Sequence, residues 1–152
     1  MFYNMYVHAA RWYAAEFMES NILHGAYMTD LVKFVEDEEE IIAVGISDSN
    51  SGADIISECL SKDKIAVQVK GLKEEFDLLG IKPKVIITVS ARLNRESVRR
   101  TIEEELGYKP HFEQLHHYSP DGSSYKNRGY KSYKDMYNAE IKEIVKSIES
   151  KT

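Results

Sequence analysis

The chain has 152 residues, 43% hydrophobic and 30% charged, with a net charge of −5. This length suits one domain with a proper core, and the composition is that of an ordinary globular fold. No apolar stretch approaches the roughly 20 residues that a membrane span needs. The opening residues lack the basic start and apolar run of a signal peptide, and the lone Cys59 cannot close an internal disulfide. A cytoplasmic protein with a reduced, buried thiol is expected.

Apolar residues at Val7, Ala10, Ala14, Phe17, Met18 and Leu23 predict a helix over 5–24, stopped at Gly25. Residues 31–35 are too short a run for periodicity to decide between helix and strand. Glu36 to Glu40 is a run of like charge, expected as a solvated turn. The β-branched run Ile41–Ile46 reads as a buried strand, and Ser47–Gly52 as the strongest turn signal of the chain. Residues 55–60 and 65–69 read as two further strands joined at 61–64, completing an antiparallel meander. A helix is expected over 72–79, closed by Gly80, then a central strand over 84–90. Asn94 is expected to cap a helix over 94–106 that Gly107 stops, with a short strand at 111–116. Residues 118–131 read as a tyrosine- and lysine-rich loop, and 132–150 as an amphipathic helix with Met136, Ala139 or Glu140, Ile144, Val145 and Ile148 on one face. The whole, 1–152, is expected to be a single α/β domain with a mixed central sheet flanked by helices.

The chemistry concentrates between Gly52 and Lys70. Side chains two apart on a strand share a face, so Gln68 and Lys70 are expected to point the same way, with the small Ala66 leaving room beside them. If the run carrying Asp54 pairs with this strand, a carboxylate and an amide oxygen meet next to an ammonium. Hard cations such as Mg²⁺ or Mn²⁺ prefer oxygen ligands and keep several waters, so Asp54 and Gln68 are the expected metal ligands.

Asp54–x13–Gln68–x–Lys70 resembles the core of the PD-(D/E)xK nuclease superfamily in its glutamine variant. The resemblance implies a restriction-endonuclease-like core and metal-dependent hydrolysis of phosphodiester bonds in DNA, less readily RNA. Asp54, Gln68 and Lys70 would be the catalytic set, and Glu16 on the first helix an auxiliary carboxylate. Ala53 stands where many members have proline, and Gln68 where most have a carboxylate. Related small enzymes often pair, and the C-terminal helix with the tyrosine-rich loop would furnish a homodimer interface.

Outside this core, Tyr125, Lys126, Arg128 and Lys131 form the best nucleic-acid-binding segment, with rings to stack on bases and cations to meet phosphates. Arg92, Arg95, Arg99 and Arg100 form a second basic group, expected as a solvated face in which Glu103 and Glu104 pair with Arg99 and Arg100. His111, His116 and His117 do not fit a zinc site, because adjacent strand residues face opposite sides. Two alternatives stand beside the nuclease reading. One is a non-catalytic module of the same fold that binds nucleic acid or a partner. The other resembles sugar-phosphate isomerase domains, with Ser47–Gly52 as a phosphate loop running into a helix over Ala53–Leu60.

Overall fold

A computed structural model of the chain describes residues 22–23, 26–27, 29, 31–32, 34–37, 40–43, 57–116 and 124–151. These residues mix helix and strand, as an α/β chain should. Strands β1 (Phe34–Asp37) and β2 (Glu40–Ala43) pair antiparallel, with Val35 opposite Ile42. Helix α1 (Ile65–Leu79) leads to β3 (Val85–Thr88), α2 (Glu96–Leu106) and β4 (His111–Gln114). A short α3 (Ser124–Asn127) precedes the long α4 (Tyr133–Glu149).

The β3–α2–β4 segment is a parallel crossover. The His111 N–H donates to the Lys84 carbonyl and the Leu115 N–H to the Thr88 carbonyl, both at 2.8 Å. Both indices climb together, from 84 to 88 and from 111 to 115, so the strands run the same way. The Thr88 hydroxyl adds a 3.2 Å bond to the Glu113 carbonyl, which accounts for a threonine in a buried position. Helix α2 is capped at Arg95, one residue after the expected cap Asn94, and Arg95 makes no side-chain capping bond. Its end is the expected Gly107, in the left-handed conformation.

Two expectations fail between 55 and 79. Ser57–Cys59 is helical rather than extended. Residues 65–69 open α1 instead of forming a strand, so the described parts of 55–69 contribute nothing to an antiparallel meander. The strand reading followed the alternation of Ile65, Val67 and Val69. The structure follows the longer spacing Ile65, Val69, Leu72, Phe76, all buried on one helical face, and leaves Val67 exposed. Burying those four side chains contributes about 1.5–3 kcal/mol each. The helix-propensity cost of its β-branched residues and Gly71 is roughly 0.5–1 kcal/mol apiece, so burial wins. The helix ends in a Schellman turn: the Gly80 N–H bonds the Asp77 carbonyl and the Ile81 N–H the Phe76 carbonyl.

The chain divides into two compact units. One comprises Met28–Ile86 and Arg92–Phe112; the other comprises Met1–Tyr27, Ile87–Ala91 and Glu113–Thr152. In the first, α1 packs on α2, and Cys59, Leu60, Ile65, Val69, Val98 and Ile102 share a core with Val32. The Tyr108 hydroxyl donates to the Pro83 carbonyl at 3.0 Å and holds the turn into β4. In the second unit, Leu115 and the α4 face of Met136, Tyr137, Ile141, Ile144 and Ile148 are buried. Ser132 caps α4 by accepting the Asp135 N–H at 3.2 Å. Among the described residues no helix is long and apolar enough to cross a membrane.

Candidate nucleic-acid interface

Of the four expected catalytic residues, Asp54 and Glu16 lie outside the described residues. Gln68 and Lys70 both stand on α1, where two positions amount to about 200° of rotation. Gln68 is accordingly buried, 4% exposed, on the core face, and Lys70 is exposed. The shared face expected of them is a property of a strand, and the helix removes it. The buried amide and the exposed ammonium therefore lie on opposite sides of α1 and do not converge as the expected strand pair would. Among the described residues no group of three or more His, Cys, Asp or Glu side chains is placed to hold a metal ion. The phosphate-loop alternative asked for a helix leading up to Leu60; Ser57–Cys59 is helical, while Ser47–Gly52 lies outside the described residues.

The tyrosine- and lysine-rich segment is described from Ser124 on, and it is more ordered than the expected loop. One helical turn, α3, ends in a second Schellman turn: the Gly129 N–H bonds the Lys126 carbonyl at 2.9 Å and the Tyr130 N–H the Tyr125 carbonyl at 3.0 Å. Gly129 takes φ = 80°, a region closed to most side chains. This turn sets Arg128 and Tyr130 on either side of the reversal. The rings then stack back onto the unit. Tyr125 meets Tyr133 edge-on at 4.6 Å between centroids, and Tyr133 lies near-parallel to the buried Tyr137 at 6.2 Å. Lys126 spreads over the Tyr125 ring at 5.8 Å.

Beside this ladder lies a cleft of about 420 Å³, lined by Glu113, Gln114, His116, Arg128, Tyr130, Glu140 and Glu143 among others. It runs from the second half of β4 past its carboxyl end, the end at which parallel α/β sheets present ligand sites. Glu140 organises it. One carboxylate oxygen accepts the His116 backbone N–H at 3.1 Å; the other lies 2.6 Å from His116 Nδ1 and 3.0 Å from Arg128 Nη1. A single side chain of α4 therefore ties the end of β4 to the turn after α3. The Glu140 side chain is only 14% exposed, against 48% for Arg128, so the carboxylate is held in place while the guanidinium keeps an open side.

Sequence reasoning named Arg128 but missed its partner. Glu140 falls on the apolar stripe of α4, between Met136 and Ile144, and a carboxylate in that position has to find hydrogen-bond donors. That signal was present. His116, which the sequence does not place in a zinc site, stands against Glu140.

The segment 126–134 is locally basic, while the cleft beside it also carries Glu113, Glu140 and Glu143. Lys126, Arg128, Lys131 and Lys134 are all exposed, and among the described residues the three lysines have no acidic partner. Comparison with protein-family models, with curated proteins and with solved structures finds no match to this chain.

Proposed function

We propose that this chain is a nucleic-acid-binding α/β protein. It would grip the phosphate backbone with Lys126, Arg128, Lys131 and Lys134 and stack a base on Tyr130 at the edge of the cleft. The carrying observation is the run of exposed cations between positions 126 and 134, interleaved with tyrosines, with Arg128 held by Glu140. The net charge of −5 does not oppose this. Charges more than about 8–10 Å from the strand are screened at physiological salt, so the local patch governs contact. Glu113 and Glu143 in the cleft would accept hydrogen bonds from base amino groups or a ribose hydroxyl, adding selectivity without affinity for phosphate.

Metal-dependent cleavage of the bound strand is the second reading, favoured by the spacing of Asp54, Gln68 and Lys70. It requires Gln68 to leave the core face of α1 or a ligand set other than the one expected. One experiment separates the two. Labelled single-stranded, duplex and branched DNA are incubated with the protein and with Asp54→Ala and Lys70→Ala, with Mg²⁺ or Mn²⁺, and both retention and products are scored. Salt-sensitive retention without products, unchanged in either variant, is the expected result. Products that vanish in both variants would establish cleavage. Absence of both retention and products with every substrate at low salt would refute both readings.

A further inference from the structure

A second cleft, of about 370 Å³, lies on the unit built from α1 and α2, and neither reading above uses it. It is lined by Glu96, Arg99, Arg100 and Glu103 with Lys109 and Phe112. The first four occupy positions i, i+3, i+4 and i+7 of α2, a single helical row. The opposite row, Val98 and Ile102, is sealed in the core. Gly107 then turns the chain, bringing Lys109 and the first half of β4 alongside the same row. Phe112 packs against the core and is half-buried, presenting an apolar edge to the cleft.

The sequence suggested that these arginines are neutralised by neighbouring glutamates. The structure does not bear this out: among the described residues the side chains of Arg99, Arg100 and Lys109 make no hydrogen bond or ion pair. Two adjacent guanidinium forks and an ammonium thus line one concave surface with no acidic partner among the described residues. Guanidinium forks match phosphate oxygens bidentately. A cleft of this size accommodates a small molecule rather than a protein surface, and the apolar edge of Phe112 suits a flat ring.

We propose that this cleft binds a free nucleoside phosphate. The phosphates meet Arg99, Arg100 and Lys109, the base lies against Phe112, and Glu96 or Glu103 accepts from the sugar hydroxyls. The site is independent of the strand-binding segment, which belongs to the other unit.

The test is calorimetric titration of the full chain with ADP, pyrophosphate and adenosine, backed by melting shifts. ADP is expected to bind most tightly, pyrophosphate less so and adenosine not measurably. Arg99→Ala with Arg100→Ala should weaken ADP by at least about tenfold. Glu103→Gln should strengthen pyrophosphate by removing a like charge from the cleft. A Lys126, Lys131 and Lys134 triple change to alanine should leave ADP affinity as it was. Because all these positions lie off the buried core faces, far-UV circular dichroism should confirm a retained fold. Absence of ADP binding at millimolar concentration would overturn the proposal, as would ADP affinity indifferent to the arginine pair. Binding of a 5′-phosphorylated oligonucleotide through Arg99 and Arg100 without binding of ADP would overturn the assignment to a free nucleotide.

Discussion

Replacing Glu140 by alanine should unfasten three elements at once. The carboxylate accepts the His116 backbone N–H at 3.1 Å and stands 2.6 Å from His116 Nδ1, and it pairs with Arg128 at 3.0 Å. Hydrogen bonds to a charged acceptor contribute about 1.5–3 kcal/mol each. The Arg128 pair, half open to water, adds only about 0.2–1 kcal/mol. Water entering the vacated space recovers part of the loss, and alanine favours the helix by a few tenths of a kcal/mol. The expected net cost of Glu140→Ala is therefore about 2–4 kcal/mol. For a chain of this length each kcal/mol shifts the melting temperature by roughly 2–4 °C, which makes the drop on the order of 5–15 °C. Glu140→Gln keeps an acceptor for the His116 N–H and should lose about half as much. Arg128→Ala, removing the exposed partner alone, should stay within about 1 kcal/mol. Urea unfolding near neutral pH, followed by far-UV circular dichroism, measures all three. A Glu140→Ala protein within about 0.5 kcal/mol of the parent, or an Arg128→Ala protein as weakened as Glu140→Ala, would refute the tie.

The other expectations test the core, the turns and the titrating groups. Ile102→Ala, at a side chain 2% exposed, should cost about 2–5 kcal/mol, whereas Leu78→Ala, at 88% exposed, should move stability by no more than about 0.5 kcal/mol; equal effects in urea melts would contradict the core assignment. Gly129→Ala meets no atom within 4 Å of the new Cβ, so its cost is the left-handed backbone alone, about 1–2 kcal/mol, with weaker DNA retention because Arg128 and Tyr130 lose their setting. Burial pushes both the Cys59 thiol and the Tyr108 phenol above their ordinary values. A group whose folded value is raised stabilises below its unfolded value and loses that contribution as pH climbs, so stability should fall progressively above about pH 8.5; a rise over that range would run against the burial of both groups. The same burial predicts that native Cys59 reacts with an alkylating reagent far more slowly than the thiol in urea-unfolded chain.

Much of the second half of the fold was legible from residues alone. The stretch 84–116 carries a continuous apolar run, a helical repeat and a left-handed glycine stop in a sensible order, and the structure forms β3, α2 and β4 there. The face of α4 was legible for the same reason, since Met136, Ile144 and Ile148 keep a helical period over about three turns. The failure at 55–69 is instructive. Ile65, Val67 and Val69 satisfy period two over a window too short to exclude period 3.6, and β-branched residues tilted the reading toward strand. Only Leu72 and Phe76, further along, extend the helical stripe that the structure follows. Because Gln68 sits inside that ambiguous window and Lys70 just after it, the expected site inherited the ambiguity. Arg99 and Arg100 show another limit: helical spacing makes pairing with Glu103 geometrically available, yet it does not determine which rotamer each long side chain takes. Pairings across distant parts of the chain, such as His116 with Glu140, depend on tertiary placement that no local pattern encodes.

The most direct test of the central claim is the salt dependence of DNA binding. Anisotropy of a labelled single strand should be titrated across a range of salt concentrations with the parent protein and with Lys126, Lys131 and Lys134 changed to alanine. Each phosphate contact contributes about 0.7 to the slope of log affinity against log salt on single strands. The parent is expected to show a slope near −3 from its four cations, and the triple variant a slope reduced by about 2. Equal slopes in the two proteins would place the nucleic-acid contact elsewhere, and a flat response in both would contradict nucleic-acid binding itself.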